Sequence, residues 1–133
     1  MLATCARPER DVANGIDAAF AMGIGATVNI SSLATFPWDR VCVIGPYTPD
    51  RTVDEMLGFD IEYSPTDYDS DYEFLFVSGK SVRTVFYRAR GGAIQLGGSG
   101  MPTCYPRSTA RFIVTSASPD STSLILQPLR LSE

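Results

Sequence analysis

Asp67-Tyr68-Asp69-Ser70-Asp71 places three carboxylates two residues apart, the spacing at which a calcium loop gathers oxygen ligands. Tyr72 stands where such a loop needs glycine for its sharp turn, and Ser78 stands where it needs a bidentate glutamate. No metal is therefore expected here. The run reads either as a solvated acidic turn or as a contact surface for a basic partner. Gly97-Gly98-Ser99-Gly100 invites comparison with a phosphate loop and with a nucleophile elbow. It lacks the Gly-Lys-Ser/Thr ending of the first, and Met101 replaces the second glycine of the other.

Histidine is absent from the whole chain, and Lys80 is the single lysine. That removes the usual general base for a serine or cysteine nucleophile and the commonest metal ligand. A hydrolase would have to work with carboxylates such as Glu62, Asp67 or Glu73, two of them facing each other across a cleft. Nothing in the sequence demonstrates such a pair. The expectation is a protein that is not an enzyme and needs no cofactor.

The three cysteines are Cys5, Cys42 and Cys104. In an oxidising compartment an odd count reads as one bridge and one cysteine with another fate. Cys42 falls on an apolar strand and Cys104 in a Gly- and Pro-rich segment. A bridge between them would close a loop of about sixty residues and remove about 4 kcal/mol of unfolded-chain entropy. Two unrelated buried thiols are the other reading. Leu2-Ala3-Thr4-Cys5 looks like the tail of a bacterial lipobox, whose cysteine takes a lipid, although no apolar stretch precedes it. Otherwise Cys5 is an ordinary surface thiol.

These residues need a scaffold, and the composition provides one. Of 133 residues, 44% are apolar and 20% charged, which suits one globular domain with a real core. The net charge of −4, with no Lys/Arg-rich run, repels phosphate backbones, so no nucleic-acid partner is expected. Eleven glycines and nine prolines imply many turns. No stretch approaches the ~20 apolar residues of a membrane-spanning helix.

Along the chain, Arg7 to Met22 reads as a helix with Val12, Ile16, Ala19 and Phe20 on one face. Thr27 to Phe36 contains a short strand. Trp38 to Ile44 is apolar on both faces and reads as a central strand. Thr48-Pro49-Asp50 opens a short helix that Gly58 ends. Phe59 to Tyr63 reads as a strand with Phe59, Ile61 and Tyr63 inward. A hairpin turns at Ser78-Gly79-Lys80, a flexible Gly-rich loop leads to Cys104, and two further strands span Ala110 to Ser116 and Ser123 to Leu129. The predicted architecture is α+β: an antiparallel sheet of about five strands with two helices packed on one face. Residues 1–6 form a tail or anchor remnant, and residues 7–133 form the domain.

Trp38-Asp39-Arg40-Val41-Cys42-Val43-Ile44-Gly45-Pro46-Tyr47-Thr48 resembles a stretch shared by a group of small bacterial proteins of unassigned function, many of them lipoproteins. The likeness extends loosely to Leu57-Gly58-Phe59, to Phe74-Leu75-Phe76-Val77, and to Cys104 with Ala110-Arg111-Phe112. It implies an envelope location and supports pairing of Cys42 with Cys104. It implies no catalytic residues.

Small size, acidity and the missing catalytic apparatus point to a periplasmic or lipid-anchored binding protein. The leading expectation is an immunity or inhibitor protein that blocks a basic effector enzyme. The alternative is a structural envelope lipoprotein that stabilises an assembly. Membrane contact would come only through a lipid on Cys5. Six of the fifteen acidic residues fall within fourteen positions. The expected partner-binding residues are accordingly Asp60, Glu62, Asp67, Tyr68, Asp69, Asp71, Tyr72 and Glu73.

Overall fold

Val12, Ile16, Ala19 and Phe20 recur every three or four positions, so a helix turns all of them to one side. In the computed structural model, which describes residues 8–63, 65–66, 68–95, 102–120 and 122–129, they form the buried stripe of α1 (Pro8–Met22). The chain continues through β1 (Thr27–Asn29) into a single helical turn, α2 (Ile30–Leu33). Asn29 caps that turn by accepting a hydrogen bond from Ser31 N at 3.2 Å.

β2 (Arg40–Ile44) is buried along almost its whole length, as an apolar run on both faces requires. α3 (Asp50–Leu57) starts one residue later than the sequence suggests. Thr48 does not cap it; its hydroxyl donates to Gly45 O at 2.9 Å within the preceding turn. Gly58 ends the helix in the left-handed region (φ 88°), which costs a glycine nothing.

β3 (Asp71–Ser78) and β4 (Ser81–Arg88) form a hairpin that turns at Gly79-Lys80. β5 (Ala93–Ile94), β6 (Thr103–Pro106), β7 (Arg111–Ser116) and β8 (Leu124–Pro128) complete the fold. The fold is α+β. Among the described residues its strands divide into two sheets of four, ordered β1-β7-β8-β5 and β4-β3-β2-β6. The last two strands pair with each other and with β1 instead of extending the hairpin's sheet. All pairings are antiparallel except β5 with β8.

Strand alternation builds two cores from β3. Phe74 and Phe76 point to the main core, which draws on α1, both sheets and Trp38. Leu75 and Val77 point the other way, into a smaller core with Cys42, Ile44, Val53 and Leu57. The two longer helices therefore lie on opposite faces of the β4-β3-β2-β6 sheet. Each large apolar side chain buried in these cores contributes about 1.5–3 kcal/mol.

The α+β class holds. One sheet of about five strands with both helices on one face gives way to two sheets, with α1 and α3 on opposite faces of one of them. Two local readings change as well. Phe59, Ile61 and Tyr63 do pack onto the smaller core, but residues 59–63 form no strand. Ile61 N donates to the Asp54 carboxylate at 3.0 Å rather than to a neighbouring strand, so the segment lies over the sheet without joining it. Gly92, expected in a flexible loop, sits in a tight contact. A Cβ there would lie 2.4 Å from Leu124 O and 2.6 Å from the Phe20 ring. Only glycine permits that approach. The Gly97–Gly100 run lies outside the described residues.

Candidate functional site

Cys42 on β2 and Cys104 on β6 are directly opposite in the strand register and form a disulfide. It ties the central strand to an edge strand within the smaller core. A structural disulfide of this kind marks an oxidising, non-cytoplasmic compartment. Cys5 lies outside the described residues. Among the described residues, no helix is long and apolar enough to cross a membrane.

Negative charge is concentrated in one segment of the chain. Nine of the fifteen acidic residues and one of the eleven basic ones fall between residues 50 and 73. Within that segment, α3 and residues 59–63 form the outer layer over the smaller core and carry Asp50, Asp54, Glu55, Asp60 and Glu62, whereas Asp71 and Glu73 lie on β3 in the sheet itself. Asp50, Asp54, Glu55 and Asp60 line a surface cleft of 470 Å³ beside Arg51, Gly58 and Phe59. Among the described residues, no three His, Cys, Asp or Glu side chains come together in a way that could hold a metal ion.

The acidic run does not emerge as one face. Asp60, Glu62, Tyr68 and Asp69 are exposed. Asp67 lies outside the described residues. Asp71 is buried: Arg88, opposite it on β4, donates from Nε to Oδ1 at 2.7 Å and from Nη2 to Oδ2 at 3.0 Å. Those hydrogen bonds, aided by the guanidinium charge and opposed by burial, hold the Asp71 carboxyl below its usual range. Tyr72 points the opposite way, into the main core, where its hydroxyl accepts from Ile94 N at 3.2 Å. Asp71 and Tyr72 thus belong to the fold and offer a partner no contact surface. The cause is the start of β3 at residue 71, which turns alternate side chains inward.

Glu73 is half-buried beside Tyr63. Glu73 Oε1 and the Tyr63 hydroxyl are both inaccessible, and neither makes a well-formed hydrogen bond among the described residues. Burial is the main cause that pushes the Glu73 carboxyl up; the Asp71 charge adds to it and Tyr63 opposes it. Burial, then the Glu73 charge, pushes the Tyr63 phenol up as well. Of the carboxylates considered for hydrolysis, Glu62 is exposed and Glu73 faces a tyrosine.

Two residues outside the expected set, Tyr47 and Phe86, join the expected Tyr68 on this surface. Tyr47 is 57% exposed and donates from its hydroxyl to Asp69 Oδ1 at 2.8 Å. Tyr68 (62% exposed) and Phe86 (46% exposed) flank Arg88, whose guanidinium lies 5.0 Å from the first ring centre and 5.7 Å from the second. Phe86 stands opposite Glu73, on the part of β4 that α3 leaves uncovered. Alternation of Val85 and Tyr87 with Thr84 and Phe86 carries that signal in the sequence. Trp38, by contrast, is a core residue: it donates from Nε1 to Ala34 O at 2.8 Å and lies under the Arg107 guanidinium.

No protein-family model matches the chain, and no curated protein or solved structure does.

Proposed function

We propose that this domain is a non-catalytic protein-binding module of the bacterial envelope, periplasmic or held to the membrane by a lipid on Cys5. In this reading it is an inhibitor, of the immunity type, that docks on a basic effector enzyme without a cofactor. The observation that carries it is the segregation of charge: nine acidic residues against one basic residue between positions 50 and 73, with Asp50, Glu55, Asp60, Glu62 and Asp69 exposed. Exposed Tyr47, Tyr68 and Phe86 lie along the margin of that acidic surface. Aromatic side chains supply contact area at low entropic cost, while the surrounding carboxylates steer a cationic partner into encounter.

The disulfide supports an oxidising compartment, and the likeness of Trp38–Thr48 to small bacterial lipoproteins supports the envelope in particular. The lack of any histidine supports binding over catalysis.

The test is capture from envelope extract of the source bacterium with wild-type protein and with a variant in which Asp60, Glu62 and Asp69 are changed to Lys. A basic enzyme retained by the wild type, lost by the variant and inhibited by added wild-type domain is the expected result. An assembly of non-enzymatic envelope proteins captured equally by both would favour a structural lipoprotein instead.

A further inference from the structure

Among the described residues, Tyr47 is the one non-glycine residue with positive φ, at 64°. A side chain in the left-handed region is disfavoured, so the surroundings must hold it there. They do. Pro46 and Pro49 restrict the turn, Tyr47 N donates to Thr66 O at 2.7 Å, and Thr48 is buried with its hydroxyl on Gly45 O. Gly45 and Thr48 are thus buried on either side of the turn, yet the aromatic ring of Tyr47 is left largely in solvent, oriented by its hydroxyl on Asp69. Glycine would satisfy this backbone without strain and without displaying an apolar ring.

We infer that Tyr47 is the preorganised anchor of the docking face, inserted into an apolar pocket with a basic rim on the protein partner. This rests on the reading of the acidic layer as a protein-docking surface. The rim must be basic because the ring arrives surrounded by Asp69 and the carboxylates of the outer layer, which would repel an acidic one. A ring already held in its bound position loses little freedom on docking, which is the property of an interface hot spot.

The experiment places p-benzoylphenylalanine at position 68, at position 86 and, as a control on the β3–β4 turn, at position 80, in the full chain expressed in the source bacterium. Irradiation should give one discrete protein adduct from 68 and 86 and none from 80. The position-68 probe is then combined with Tyr47→Phe and with Tyr47→Gly. Tyr47→Phe, which keeps the ring and loses the hydrogen bond to Asp69, should leave the adduct. Tyr47→Gly should reduce it roughly thirtyfold, as loss of a hot-spot aromatic does, while the purified variant melts within about 2 °C of wild type. An undiminished adduct in Tyr47→Gly overturns the anchor but leaves the docking face intact. Equal loss in Tyr47→Phe, or a much lower melting temperature in Tyr47→Gly, overturns it in favour of a purely structural tyrosine. No adduct from 68 or 86 overturns the docking face itself.

Discussion

Asp71 and Arg88 face each other across β3 and β4 and join through two hydrogen bonds of 2.7 and 3.0 Å. This pair takes one carboxylate out of the acidic run and makes it part of the sheet. It also places Arg88 between Tyr68 and Phe86, so the same cation that pins the hairpin organises the exposed aromatic margin.

A pH dependence follows. The folded Asp71 carboxyl titrates below its ordinary value near 3.8. Its contribution is therefore fully present above that value and is lost as pH falls through the lowered one. Urea denaturation from pH 7 to pH 2.5 should show wild-type stability falling on the acid side. Asp71→Asn should be less stable at pH 7 and flatter in that range.

Glu73 has the opposite sign. Its carboxyl is raised in the fold, so the stability linked to its protonated form is present below the ordinary value and is lost as pH rises through the raised one. Glu73→Gln removes the charge beside Tyr63. Thermal melts between pH 4 and pH 8 should show the variant gaining on wild type as pH increases.

The disulfide joins cysteines 62 positions apart. Replacing Cys42 and Cys104 together by Ala should cost about 4 kcal/mol of stability by the loop-entropy account, read as a lowered urea midpoint. A non-reduced tryptic digest should contain peptides 41–51 and 91–107 linked to each other. Both peptides found free in protein isolated without reductant from its native oxidising compartment would refute the bridge.

Gly92→Ala drives a methyl group toward Leu124 O and the Phe20 ring. Overpacking of this kind should destabilise the domain by about 1–3 kcal/mol, measured by denaturant unfolding.

These cases also show what the sequence makes legible. Apolar periodicity marks α1, β2, the hairpin and the last strands, because burial repeats with the period of the element. Residues 59–63 look like a strand because their apolar alternation is real. What the pattern cannot express is that their backbone pairs with a carboxylate instead of a strand. The acidic run is legible as composition, but its division into exposed Asp60 and Asp69 and buried Asp71 depends on Arg88, seventeen positions further along. Tyr47 is hidden for a related reason: its exposure depends on how Pro46 and Thr48 are held, and not on its own chemistry.

The acidic layer as a docking face is the central claim, and association kinetics test it most directly. With the captured partner, stopped-flow association rates would be measured from 20 to 300 mM salt for wild type and for Asp60→Lys/Glu62→Lys/Asp69→Lys, which leaves the Asp71–Arg88 pair untouched. If the layer steers encounter, wild-type association slows markedly as salt increases, and the triple variant associates about tenfold or more slowly at low salt with little salt dependence left. Equal rates and equal salt dependence for the two proteins would contradict the account.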